Sequence, residues 1–163
     1  MGILDSILGG GSTGLQAGAR APEFSLDDQN GKRVGLADFR EKKNVVVYFY
    51  PKDDTPGCTK ESCAFRDQFS DFADAGAEVI GISSDSVASH KKFAEKYRLP
   101  FTLLSDVGGK VRKAFGVPSS LGVLPGRVTY VIDKKGVIRH TFNSQLNPTK
   151  HVDEALGVLA SLA

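Results

Sequence analysis

The chain has 163 residues, 40% of them hydrophobic and 25% charged, with 21 Lys+Arg against 19 Asp+Glu for a formal balance of +2. At this length one domain is favoured, and a chain near 150 residues buries roughly 68–70% of its unfolded surface, so neither metal nor disulfide is needed to fold it. The near-neutral charge, without a run of Lys or Arg longer than two, argues against a nucleic-acid binder, and no apolar stretch approaches the roughly 18 residues of a membrane span.

The first twenty residues lack a basic region followed by a long apolar run, so no secretory signal is expected. Met1-Gly2-Ile3-Leu4-Asp5-Ser6 fits the loose myristoylation pattern, which such segments often meet by chance. Gly9-Gly10-Gly11-Ser12-Thr13-Gly14 reads as a linker. Residues 1–16 are therefore expected to be a flexible extension and 17–163 a single folded domain.

Val45-Val46-Val47-Tyr48-Phe49-Tyr50 is a β-branched and aromatic run that predicts a strand buried on both faces. Turn residues 51–57 lead into a helical pattern with Phe65, Phe69 and Phe72 on one stripe. Val79-Ile80-Gly81-Ile82-Ser83 predicts a second strand, and 86–97 a second helix that stops before Pro100. A short strand over 101–104, a turn at Gly108-Gly109 and a short helix over 111–115 follow. The strands 128–133 and 137–142 lie close enough for an antiparallel hairpin. Asn147-Pro148 reads as the opening of a last helix with Val152, Ala155, Leu156 and Leu159 on its buried stripe. This order describes a mixed α/β sheet covered on both faces, which a thioredoxin-like fold fits.

The chemistry concentrates in Pro51-Lys52-Asp53-Asp54-Thr55-Pro56-Gly57-Cys58, between the first buried strand and its helix, where α/β sheets place their active groups. With Thr55 as N-cap and Pro56 at the first helical position, Cys58 falls in the first turn, where unpaired N–H groups and the helix dipole favour a thiolate. Cys63 is the second of the two cysteines. Counted at 100° per residue, Cys58 lies within about 20° of the phenylalanine stripe and Cys63 about 160° from it. Their Cα atoms in an ideal helix are about 8.7 Å apart, beyond the roughly 6.8 Å limit of an unstrained disulfide, so the sulfurs can bond only if the first turns unwind. A zinc site is disfavoured by the C-x4-C spacing and the lack of a second cysteine pair. His90, His140 and His151 lie on different elements and are expected at the surface rather than as ligands, and Lys91-Lys92 and Lys134-Lys135 as solvated positions.

Pro51-x-x-x-Thr55-x-x-Cys58 resembles the peroxiredoxin active-site motif, and a second cysteine five residues on is similar to the peroxiredoxin Q, or bacterioferritin-comigratory-protein, branch. The resemblance extends through Phe49-Tyr50-Pro51, Cys63-Ala64-Phe65-Arg66-Asp67, Leu103-Leu104-Ser105-Asp106 and Gly126-Arg127-Val128-Thr129-Tyr130-Val131-Ile132-Asp133, over residues 17–162, and the wording is most like cyanobacterial and chloroplast members. It implies a thioredoxin-like fold and a thiol peroxidase that reduces hydrogen peroxide and organic hydroperoxides in antioxidant defence and redox homeostasis. Cys58 would be the peroxidatic nucleophile and Cys63 the residue that condenses with its sulfenic acid to an intramolecular disulfide. Thr55 would hydrogen-bond thiolate and peroxide, Pro51 would shield the pocket, Arg127 would stabilise the thiolate and the leaving oxygen, and Glu61 would orient that arginine. With no C-x-x-C, flavin or nicotinamide fingerprint, no bound cofactor is expected, and the electrons would come from thioredoxin or a similar dithiol reductant. Intramolecular resolution implies a monomer. The expected setting is the cytoplasm, or a plastid if a transit peptide has been removed. Two other readings of the same residues are a thioredoxin-like disulfide reductase and a redox-sensing partner-binding module.

Overall fold

The computed structural model describes residues 15–117, 119–120 and 124–162. The linker at 9–14, the myristoylation pattern and all but the last two residues of the expected extension lie outside the described residues.

A seven-stranded mixed sheet organises the chain. Its strands are β1 (Ser25–Asp28), β2 (Arg33–Gly35), β3 (Asn44–Phe49), β4 (Ala77–Ser83), β5 (Thr102–Ser105), β8 (Val128–Ile132) and β9 (Ile138–Asn143), in the order β2-β1-β5-β4-β3-β8-β9. The central β5, β4 and β3 are parallel, and β1, β8 and their outer partners are antiparallel. Two short strands, β6 (Ser119–Ser120) and β7 (Leu124–Pro125), pair separately. The helices are α1 (Pro56–Asp67), α2 (Phe69–Asp74), α3 (Val87–Tyr97), α4 (Lys110–Ala114) and α5 (Lys150–Leu162), and a 3-10 turn spans Leu36–Phe39.

Strand alternation sorts β3 into two cores. Val46, Tyr48 and Tyr50 face the side packed by Phe65 and Phe72 of α1 and α2, Phe93 and Ala94 of α3, and Val152, Ala155 and Leu159 of α5. Val45, Val47 and Phe49 face the other side, with Phe24, Leu36, Phe115 and Ile138. A strand covered on both faces has no polar side to show, which is why its sequence is an unbroken apolar run.

The predicted strands and hairpin are present with ends shifted by a residue or two, and Gly108 and Gly109 form the turn before α4 with φ of 89° and 72°. Three features differ. The phenylalanine stripe is carried by two helices, because Gln68 (φ −105°, ψ 15°) leaves helical geometry between α1 and α2; Phe65 and Phe72 still meet, with ring centroids 5.5 Å apart. The last helix begins at Lys150, since Asn147 to Lys150 forms a turn and the Asn147 amide donates to Ser144 Oγ instead of capping. The β1–β2 hairpin carries no apolar signature; its turn is closed by Asp28 Oδ1, which accepts from the N–H groups of Asn30 and Lys32.

Below α1, the Tyr48 hydroxyl reaches Ser62 Oγ at 2.8 Å, and it can do so because position 81 on β4 has no side chain. A Cβ at Gly81 would lie 2.8 Å from Tyr48 Cζ and 2.9 Å from Leu103 Cδ2. Gly81→Ala is therefore expected to overpack the core by about 1–3 kcal/mol, read as a lower urea midpoint with an unchanged slope; an unchanged midpoint would mean that the Tyr48 ring is not confined there.

Candidate active site

The loop from β3 to α1 is pinned by two consecutive aspartates. Asp53 is buried: its Oδ1 accepts from Tyr50 Oη (2.6 Å), its Oδ2 lies 2.8 Å from the Ser89 hydroxyl and 2.7 Å from His90 Nδ1, and its own N–H donates to Asp85 Oδ2 (2.8 Å). Asp54 takes a left-handed conformation (φ 58°) and accepts from Tyr97 Oη (2.6 Å) and Lys96 Nζ (2.8 Å); Lys96 holds its carboxyl below the usual range. The sequence presented this pair only as turn residues.

Thr55 is the N-cap in extended geometry, Pro56 is the first helical residue and Cys58 the third, as the sequence predicts. The Thr55 hydroxyl donates to the carbonyl of Lys52 (2.8 Å) and does not cap the helix; its lone pairs stay available to a donor. Pro51 is partly exposed at the loop's start.

Cys58 is fully buried, whereas Cys63 is partly exposed, and both are free thiols. Burial pushes the Cys63 thiol up, opposed by Arg66, so in the folded helix this sulfur is kept protonated. Arg127 enters from the residue before β8. Its Nη1 lies 3.5 Å from Cys58 Sγ and 2.7 Å from Glu61 Oε1, and its Nε donates to the carbonyl of Gln145 (3.3 Å). Burial opposes the guanidinium's charge, but the neighbouring Glu61 and Cys58 outweigh it and raise its pKa, so Arg127 keeps its proton. Glu61 is fully buried, and burial pushes its carboxyl up to about 8 against the pull of Arg127.

The fold thus brings Thr55, Cys58, Glu61 and Arg127 to one end of β3, with Pro51 at the loop's start. Cys63 stands well round α1 from Cys58. The expectation of surface histidines fails for two of three. His90 and His151 are wholly buried, because each finds partners for both ring nitrogens: His90 with Asp53 and the Leu104 carbonyl, His151 with Thr129 Oγ1 and the Ser144 carbonyl. A hint lay in their spacing, with His90 three and four residues before Phe93 and Ala94, and His151 four before Ala155. Asp53, Asp85 and His90 also form the cluster nearest to metal-ligand geometry among the described residues, but these internal hydrogen bonds already occupy their facing atoms.

A sulfur at the start of a helix, touching a buried guanidinium above a thioredoxin-like sheet, is the arrangement of a thiol-dependent peroxidase. The AhpC/TSA family model matches residues 17–141, and the chain belongs to that family, in its peroxiredoxin Q branch. It is 60% identical over 149 residues to the chloroplastic peroxiredoxin Q of Triticum aestivum, covering 91% of this chain and 68% of that one, and 61% identical over 146 residues to that of Sedum lineare, covering 89% and 78%. Among solved structures it is similar to the peroxidoxin BcpB of Mycobacterium tuberculosis (TM-score 0.85, 39% identity, 91% of this chain and 99% of that one). It is also similar to the bacterioferritin comigratory protein of Xanthomonas campestris (TM-score 0.79, 31% identity, 85% and 91%). The enzyme is a thiol-dependent peroxidase of the thioredoxin-dependent type.

Gly57 sits under the guanidinium: a Cβ there would come within 2.8 Å of Arg127 Nη2. Gly57→Ala gains up to about 1 kcal/mol as the better helix former but pushes the buried Arg127 off Glu61, so it should lower stability overall and slow the reaction of peroxide with the reduced enzyme about tenfold to a hundredfold. Stopped-flow and urea unfolding together check this; equal rates would show that Arg127 need not sit where it does.

Proposed function

We propose that Cys58 carries the peroxidase reaction and Cys63 resolves it. The single observation that carries this reading is the 3.5 Å contact of Arg127 Nη1 with a fully buried sulfur in the first turn of α1. The Cys58 thiolate attacks one oxygen of the hydroperoxide. An S–O bond forms, the O–O bond breaks, and the alcohol or water leaves after taking a proton. Arg127 faces the charge that moves from sulfur to the leaving oxygen, and being fixed in place it needs no reorganisation. Thr55, its own proton committed to Lys52, accepts the peroxide's O–H, and Pro51 screens the entrance. Glu61 holds Arg127 in register.

In the second step Cys63 attacks the Cys58 sulfenic sulfur, hydroxide leaves as water, and a disulfide closes within the chain. The dithiol of a thioredoxin-type reductant then reopens it by exchange. Alkyl hydroperoxides belong among the substrates alongside hydrogen peroxide; the structure of the Xanthomonas campestris relative is described in terms of alkyl peroxide reduction, which supports this. The resolving step needs no second subunit, so the enzyme acts as a monomer. The chloroplastic names of its relatives support a plastid-type setting over the cytoplasm. Among the described residues no helix is long and apolar enough to cross a membrane. The folded unit takes in residues two positions before the expected boundary at 17: the Leu15 N–H donates to the Phe115 carbonyl (3.0 Å) and the Leu15 side chain packs against the second core.

Cys58→Ser is expected to reduce peroxide consumption to the uncatalysed level, because an alcohol supplies no comparable nucleophile. Cys63→Ser should keep a fast first step in stopped-flow but lose turnover with thioredoxin and progress to sulfinic acid, seen by mass. Normal turnover of the Cys63 variant would overturn the resolving role.

A further inference from the structure

Behind Arg127 lies a buried histidine that the reaction as described does not use. His151 stands in the first turn of α5, fully buried, with Phe142 edge-on to its ring at 4.8 Å. Its Nε2 lies 2.8 Å from the carbonyl of Ser144, which can only accept, so Nε2 carries a hydrogen. In the neutral ring Nδ1 is then a bare lone pair, and Thr129 Oγ1, 2.8 Å away, donates to it. Facing the same Nδ1 at 3.6 Å is Glu61 Oε2. Oε1 of that carboxyl is taken by Arg127, whereas Oε2 is buried without a hydrogen-bond partner among the described residues.

An ionised carboxylate oxygen set against an imidazole lone pair, both out of water, is repulsive and leaves an anion unsolvated. One proton cures both faults. On Oε2 it makes a neutral acid whose O–H faces Nδ1 and takes the lone pair when the Thr129 hydroxyl rotates away; on Nδ1 it makes an imidazolium that donates to Thr129 Oγ1 beside a carboxylate. Either way the pair is neutral and not −1.

We propose that Glu61 and His151 hold one proton between them in the reduced enzyme, and that His151 is the positioning residue that keeps it there, leaving the charge of Arg127 to the sulfur of Cys58. The proposal rests on the reading of Cys58 as the nucleophile. Burial sets the window: it raises Glu61 to about 8 and lowers His151 to about 4, so the pair holds one proton between those values. The other groups facing it are few. From β3 comes the Tyr48 hydroxyl, bonded to Ser62 and pushed by burial well above its usual range, hence neutral. From α1 comes Cys58, and from the start of β8 come Arg127 and Thr129. On α5 itself Glu154 favours the imidazolium, but it is occupied by His140 of β9 at 2.9 Å. As pH rises through the upper limit the pair becomes an anion that competes with the reacting sulfur and the leaving oxygen for one guanidinium. The peroxide step therefore slows on the alkaline side.

Carbon-13 and nitrogen-15 NMR of Glu61 and His151 in the reduced wild-type protein tests this, alongside stopped-flow peroxide reaction over the same pH range. One proton should leave as a single event near pH 8, sensed at both residues, with the peroxide step slowing in step with it. Glu61→Gln should abolish the event and the alkaline slowing. His151→Gln, unable to take a proton, should move the slowing toward neutral pH, and adding Glu61→Gln to it should remove that shift; a histidine that only fills space would lower stability and leave the limb in place. Glu61 titrating in the ordinary carboxylate range beside an unchanging neutral His151, or a limb unmoved by Glu61→Gln, would overturn the proposal, and if the His151 variant fails to fold the wild-type spectra still decide. The spectra are taken without peroxide, so an error about the nucleophile, which would show as peroxide reduction surviving in Cys58→Ser, is distinguishable from an error about the proton.

Discussion

The two sulfurs that the proposed reaction joins are mounted on one helix where they cannot bond. Five residues of α-helix turn Cys58 and Cys63 about 140° apart and set their Cα atoms beyond disulfide reach. Everything else at the site serves one side or the other of that constraint. The folded helix is what buries Cys58, sets it in the first turn where the helix dipole favours a thiolate, and brings Glu61 to Arg127. The opened helix is what lets Cys63 arrive. The anchors lie at the edges of the segment that must melt: Asp53 and Asp54 tie the loop before it to α3, and Arg66 Nη1 donates to the Tyr97 carbonyl at the C-terminal end of α3 (2.7 Å). Between them, opening must break the side-chain contacts Tyr48–Ser62, Glu61–Arg127 and Cys58–Arg127 and lift the buried Cys58, Glu61 and Ser62 out of the core. Local opening of this kind draws on a unit of low stability within a firm frame.

The second constraint is electrostatic. A single buried guanidinium serves Cys58, Glu61 and the Gln145 carbonyl. In a site of low dielectric two full anions beside one cation leave an uncompensated charge, and such charges are expensive out of water. The burial that raises Glu61 and the histidine behind it relieve this conflict. Melting α1 would also separate Glu61 from Arg127, so in the proposed reaction the motion that delivers Cys63 also dissolves the environment of Cys58.

Much of this was legible in the sequence, for physical reasons that differ by element. The central strands announce themselves because burial on both faces demands an unbroken apolar run, and α3 because its helical run must stop before Pro100; the structure adds the Ser86 cap at its start and left-handed Arg98 at its end. The placement of Cys58 in the first turn followed from Thr55 and Pro56 alone. Arg127 did not: nothing local marks a residue 69 positions away as the sulfur's partner, and it was reached through the motif's resemblance. The polar β1–β2 hairpin is held by pairing rather than by apolar faces, and the break at Gln68 leaves the phenylalanine spacing intact, so neither shows in periodicity. The burial of His90 and His151 escapes the sequence because it depends on partners from other segments, here Asp53 with the Leu104 carbonyl, and Thr129 with the Ser144 carbonyl.

The account stands on the coupling of bond formation to helix opening. Hydrogen exchange read by mass spectrometry, on the protein before and after one equivalent of peroxide and with its disulfides mapped, measures that coupling directly. A bridge between Cys58 and Cys63 accompanied by lost amide protection over residues 57–64, with β3 and α3 unchanged, is the predicted result. The same bridge with α1 still protected, or an oxidised protein whose two sulfurs remain unlinked, would contradict it.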